Sequence, residues 1–292
     1  MTADAVKIDE VSVRKLLGAA SPDAALLYIF IYAGNPAEQA EAALHMSASR
    51  LSCAAAALRQ LGLWPEERRS TVLAGERPAY SETDVLSALD SDHEFRGLYE
   101  EIQRTLGRPL NTEELKIILG FTRYLGLSAE VINMLVCFCK DRARQRNSSR
   151  NPSLRAIEKE AYFWAENGID TIEEASAYIL NQNIRHSRLH ELMRILQIRG
   201  RNLTQAEERY ALGWLDQGFE DAAISMAYER TCLNTGGLNW AYMNKILQRW
   251  AQQGLFTAEA IRTGDQKTPP KGASGQLGEA ELEAIQRVLR EG

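Results

Sequence analysis

The chain says one thing twice. WAENGIDT at 164–171 and WAQQGLFT at 250–257 carry Trp, Ala, Gly and Thr at matching places, 86 residues apart. Self-similarity at a fixed offset marks one structural unit used twice, which narrows the possible folds more than composition does. The likeness extends upstream. GRPLNTEELKIILGFTRYLGLSAEVI (107–132) and GRNLTQAEERYALGWLDQGFEDAAI (200–224) each open with Gly-Arg, then Leu, then Thr among acidic residues. Phe121 falls against Trp214, Gly126 against Gly218 and Ile132 against Ile224. The offset is 93 at Gly107/Gly200, 92 at Ile132/Ile224 and 86 at the Trp phrases, so the first copy is longer between Ile132 and Trp164. The extra length lies in DRARQRNSSRNPS (141–153), where the second copy has TCLNTGGLN (231–239); both are polar and rich in turn formers.

The repeated unit has helical period, and strand alternation is weak throughout. Tyr242, Met243, Ile246, Leu247 and Trp250 form one stripe at i, i+4 and i+8 with i+1 partners. Gly168 and Gly254 stand where a helix ends in a left-handed cap. Thr171 and Thr257 read as N-caps, since Glu173, Glu174 and Glu259 follow in the first turn. The plain reading of the double phrase is packing: Trp anchors the last helix of a small bundle and Gly ends it.

Composition fits this. The chain has 292 residues, 45% hydrophobic and 25% charged, as in a soluble globular protein of two or three domains. No apolar run reaches the ~18 residues of a membrane span; the nearest, 24–33, suits a buried helix. The N-terminal MTADAVKIDE has no basic region and no secretory core, so a cytoplasmic protein with no membrane partner is expected. Cys53, Cys137, Cys139 and Cys232 lack metal or thioredoxin spacing. His186 and His190 stand at i and i+4, a zinc-compatible spacing, with no third ligand evident. No metal and no cofactor are expected. The net charge of −5 argues against a surface basic all over, yet leaves room for a local basic patch.

The front, residues 1–75, differs from the copies. SPDAALLYIFIYAG (21–34), PAEQAEAALHM (36–46) and SASRLSCAAAALRQLGLW (47–64) predict three helices, and a short basic hairpin with Arg68, Arg69 and TVLAG follows. That is a winged-helix layout, whose third helix enters the major groove in DNA readers of that kind. Here the third helix offers Arg50, Arg59 and Gln60 and is otherwise Ala-rich, so sequence reading and scaffolding both stay open. At the other end, 264–278 reads as a flexible linker. Residues 279–292 read as a short helix with Leu282, Ile285, Val288 and Leu289 on one face.

Residues 80–121, YSETDVLSALDSDHEFRGLYEEIQRTLGRPLNTEELKIILGF, resemble the DnaD domain of the DnaD/DnaB-like replication-initiation family of low-GC Gram-positive bacteria. The resemblance continues through LGLSAEVINMLVCFC and AIEKEAYFWAENGIDTIEEA, and the second copy is similar again. It implies an all-α protein: a winged-helix-like segment (1–75) followed by two tandem DnaD-like helical domains, 80–182 and 185–263. It also implies binding to single- and double-stranded DNA, primosome assembly, self-association as a homo-oligomer, and partnership with initiator and helicase-loading proteins. The family motif Tyr-x-x-x-Ile-x-x-x-Trp, tied to DNA binding, is complete in the second copy as Tyr242, Ile246 and Trp250. In the first copy only Trp164 is kept, with Ala156 and Glu160 at the other places.

If exposed, Tyr242 and Trp250 could stack on unpaired bases, at about 1–3 kcal/mol per base, with Lys245 and Arg249 on their flank for phosphates. If buried, the same stripe only holds the bundle together. The first copy offers Arg142, Arg144, Arg146 and Arg150, within a run from Lys140 to Arg155 opposed only by Asp141. A second basic run, 184–201, joins the copies. No phosphate loop, nucleophile elbow or HExxH is present, so a non-enzymatic protein is expected. A DNA-binding primosome protein that remodels DNA and recruits the replicative helicase machinery fits best. A scaffold or oligomerisation protein, or a winged-helix transcription regulator, are the alternatives.

Overall fold

Side-chain caps set most helix starts. Ser21, Ser47, Asp92, Ser128, Ser153 and Asn239 each accept a backbone N–H of the turn that follows. The computed structural model describes residues 8–19, 21–64, 78–146 and 150–265, and these form α-helices with one 3-10 turn, Ala37–Gln39, and no strand. The protein is therefore all-α over the described residues. The expected basic hairpin, the tail helix and all but the first two residues of the expected linker lie outside them.

The chain divides into two units, residues 1–191 with 199–208, and residues 192–198 with 209–292. The first begins with α1 (Glu10–Gly18), α2 (Pro22–Tyr32), α3 (Ala40–Leu44) and α4 (Ala48–Leu61). Leu16, Leu27, Tyr28 and Leu58 make a core there, and buried Ala24, Ala54 and Ala55 let α2 and α4 approach closely. Three helices were expected; α1 is a fourth. It buries only Ser12 and Leu16, too little for its period to stand out.

The same unit continues with α5 (Glu82–Ser91), α6 (His93–Leu106), α7 (Thr112–Arg123), α8 (Ala129–Gln145), α9 (Leu154–Glu166) and all but the last turn of α10 (Ile172–Ile195). Its core gathers Phe95, Leu98, Ile102, Ile118, Phe121, Ile132, Leu135 and Trp164. Helix α8 packs on α6 and α9, and α7 on α9. In the second copy come α11 (Gln205–Asp216), α12 (Asp221–Thr235), α13 (Trp240–Gln252) and α14 (Ala258–Gly264). Trp214, Ile224, Met243, Leu247, Trp250 and Ile261 are buried.

Both repeated phrases have a local cause. Arg108 forms a two-pronged pair with Glu114 at 2.6 and 2.8 Å, and Glu114 closes a capping box with Asn111 at the start of α7. Arg201 repeats this with Glu207 at 2.6 and 2.7 Å, and Glu207 accepts the N–H of Thr204 at 2.8 Å. Gly-Arg followed by Glu six residues after the Arg is thus a clamp on a helix start. In the Trp phrases, the carbonyls of Trp164 and Trp250 accept the N–H of Ile169 and Leu255, both at 2.9 Å. That wrap requires the left-handed backbone of Gly168 (φ 67°) and Gly254 (φ 71°). Thr171 and Thr257 then cap the next helix, as expected.

Candidate nucleic-acid interface

The Tyr-Ile-Trp stripe of α13 passes from surface to core. Tyr242 is 37% exposed, Ile246 half-buried, and Trp250 has no exposed area. Trp250 therefore presents no ring face to a base; its place in the interface is to hold α13. Lys245 is exposed on the flank.

The indole of Trp250 has a charged lid. Its Nε1 donates to Asp265 Oδ2 at 2.9 Å, and the Arg230 guanidinium lies over its ring, 5.1 Å from the centroid. Arg230 and Arg249 both pair with the Asp265 carboxylate, Arg249 at 2.9 Å. Asp265 caps the end of α14 and is half-buried, with its carboxylate covered, while both arginine side chains stay partly exposed. Burial pushes the Asp265 carboxyl up, but the Trp250 indole and the two guanidiniums outweigh it and hold it below the usual carboxylate value. Arg249, expected with Lys245 on the flank for phosphates, already holds a carboxylate. Helix α14 also runs to Gly264, where the linker was expected to begin.

The arginine run of the first copy divides in the same way. Arg142 reaches back to Glu160 at 3.2 Å and lies over Phe138. Glu160 also accepts the Tyr178 hydroxyl at 3.2 Å, so this carboxylate belongs to an internal network. Burial and Glu160 together push the neighbouring Cys139 thiol up to about 12. Arg144 is mostly exposed and only 3.6 Å from an equally exposed Asp141; Arg146 and Arg150 are exposed. The end of α8 is tied down by its neighbours. Lys140 donates to the Thr105 carbonyl, and Asn151 to the Leu106 carbonyl at 2.6 Å. Cations at a helix C-terminus also complement its dipole.

Other expected contacts are spent inside the protein. Arg50 forms a two-pronged pair with Asp23 at 2.7 and 2.9 Å, and Arg59 and Gln60 both donate to Glu174 of α10. The third front helix thus has fewer free donors than its sequence suggests. His186 and His190 bring their Nε2 atoms to 3.1 Å, and no group of three metal-binding side chains occurs among the described residues.

Two features escaped the sequence reading. Arg230 and Asp265 are far from the motif in sequence, and only a copy-by-copy comparison of charge would have found them. Trp240 stacks on buried Trp214 (5.4 Å, 18°) and on Tyr210 (6.2 Å, 21°), leaving Trp240 and Tyr210 partly exposed at the start of α13.

Among the described residues, no helix is long and apolar enough to cross a membrane. No curated protein and no solved structure matches the chain. A family profile described as replication initiation and membrane attachment matches residues 99–179 and again 193–263, one match for each copy of the repeat and together over half of the chain. The chain belongs to this DnaD-like family of replication-initiation proteins.

Proposed function

We propose that the protein binds DNA without enzymatic chemistry and helps assemble the helicase-loading machinery during replication initiation. The observation that carries this reading is the set of exposed arginines, Arg144 and Arg146 at the end of α8 and Arg150 four residues further along the chain, in a protein of net charge −5. Cations concentrated in one place on an acidic protein give a local field that phosphates can read without sequence preference. Tyr242 and Lys245 on α13 add a second contact of the same kind, one ring and one ammonium. Initiator and helicase-loading proteins are the partners the family membership suggests.

The test is a titration of labelled single- and double-stranded DNA, followed by anisotropy over a salt series. Binding should weaken with salt, by a log–log slope of about 0.9 per phosphate on duplex. Changing Arg144, Arg146 and Arg150 to Gln should lower both affinity and slope. No binding by the wild type at low salt would sink the DNA role.

A second reading, self-association through the front segment, is favoured by α2. Leu26, Ile29 and Tyr32 are large, apolar and exposed on one side of that helix. Sedimentation equilibrium of Leu26→Ser/Ile29→Ser against wild type would decide it: an unchanged mass distribution removes this reading.

A further inference from the structure

The two copies close the same place by different chemistry. The offset of 92 that pairs Ile132 with Ile224 also pairs Phe138 with Arg230. The offset of 86 that pairs the tryptophans pairs Phe163 with Arg249, Tyr178 with Gly264 and Ile179 with Asp265. In the first copy Trp164 is covered by rings: Phe138 at 5.9 Å and Tyr178 edge-on at 5.6 Å, with Phe163 on Tyr178 at 5.9 Å. The Trp164 Nε1 is buried there with no hydrogen-bond partner among the described residues. The fold therefore closes over this indole with rings and leaves its N–H without an acceptor, while the Arg142–Glu160 pair engages the covering Phe138 and Tyr178 rather than the indole. In the second copy the same place holds two guanidiniums, a carboxylate and a satisfied indole N–H. Buried ion pairs add little stability over apolar packing of the same volume, so packing alone does not account for this exchange.

The arrangement has the form of an oxyanion site. Two guanidiniums and one N–H converge on the two oxygens of a single anion, and Arg230 and Arg249 remain 34% and 49% exposed above a carboxylate that is 5% exposed. A phosphodiester also presents two anionic oxygens on one centre and one negative charge. Exchanging it for the carboxylate leaves the local charge unchanged. Asp265 sits on the last turn of a seven-residue helix whose one buried residue is Ile261. Its withdrawal opens that turn, breaking the Asp265 N–H to Ile261 carbonyl bond together with its bonds to Arg230, Arg249 and the Trp250 indole, which the incoming anion would replace.

We propose that Arg230, Arg249 and the Trp250 indole N–H form a binding site for a backbone phosphate of nucleic acid, which the Asp265 carboxylate fills until phosphate displaces it. The assignment of nucleic acid rests on the DNA-binding reading above; the oxyanion site itself does not.

Asp265→Asn keeps the shape and removes the competing charge. In the full chain it should bind a single-stranded oligonucleotide about tenfold tighter than wild type, a change worth about one decade of Kd. Adding Arg230→Gln and Arg249→Gln should erase the gain and lower the salt slope by about 0.7, one phosphate's share on a single strand. In wild type, saturating oligonucleotide should speed amide exchange of the 258–265 peptide, a readout that serves even where the variant fails to fold. A folded Asp265→Asn that binds no tighter, or an exchange rate in 258–265 unchanged or slowed by bound DNA, overturns the proposal. Where neither protein binds DNA, the DNA reading fails by itself and inorganic phosphate decides. A phosphate-dependent rise in the Tm of Asp265→Asn, absent from the triple variant, upholds the oxyanion site, and no such rise overturns it.

Discussion

Trp250→Ala and Tyr242→Ala remove aromatic rings from one face of one helix, and the structure assigns them opposite effects. Trp250 has no exposed area, packs in the core of the second unit and donates to a buried carboxylate. Truncating a fully buried Trp costs about 3–5 kcal/mol through lost burial and the cavity left behind. At about 1.4 kcal/mol per decade, that is two to three and a half decades of opening equilibrium. Tyr242 is over a third exposed, so its loss should stay within about 0.5 kcal/mol, as for ordinary surface positions. With two units a single unfolding free energy is ill defined, so hydrogen exchange read peptide by peptide is the suitable assay. Amides of α13 in Trp250→Ala should lose 10²-fold or more of their protection, while those of α6 to α9 keep theirs as an internal reference. Tyr242→Ala should exchange like wild type and lose affinity for single-stranded DNA. A Trp250→Ala protein with less than a tenfold loss of protection in α13 would refute the reasoning, because the ring would then be dispensable to the core. A Tyr242→Ala protein as unprotected as Trp250→Ala would refute it from the other side.

Three further outcomes follow from particular contacts. Glu207 is held down to about 2, first by its hydrogen bond to Arg201, so its contribution is complete above about pH 4.5 and is lost as pH falls toward 2; Glu207→Gln should flatten that part of a plot of urea midpoint against pH. The Cys139 thiol, raised to about 12 first by burial, should resist alkylation at pH 8 while exposed Cys53 and Cys137 react, and mass-resolved labelling would reveal a fast-reacting Cys139 if the burial is wrong. Gly254→Ala places a Cβ in open space but on a left-handed backbone of φ 71°, so it should cost about 1–2 kcal/mol by conformation alone, read as a lowered urea midpoint; an unchanged midpoint would mean that the turn after Trp250 is not held in that form.

Much of the fold is legible in the chain because its determinants are local. A Ser, Thr or Asn cap acts within three residues, a left-handed Gly within two, and the Arg108–Glu114 and Arg201–Glu207 clamps within six. The repeat is legible for the same reason, since each shared phrase makes a local structure that any chain with those residues would make. The candidate site is less legible. Arg142, Arg144, Arg146 and Arg150 look alike in sequence, yet Arg142 turns inward, because Glu160 and Phe138 meet it from other parts of the fold. Periodicity puts Tyr242, Ile246 and Trp250 on one face without saying which end of that face is covered. The covering comes from α12 and from Asp265, fifteen residues beyond Trp250.

The sequence alone thus determined helical content, helix ends, the double use of one unit and the family to which it belongs, since short-range caps and apolar period carry these. The tertiary structure alone decided that Arg142, Arg230 and Arg249 each hold a carboxylate brought to them from elsewhere in the fold. A charged side chain chooses between solvent and a partner by a small difference between large desolvation and Coulomb terms, and that difference depends on where distant carboxylates are brought by the packing of the core.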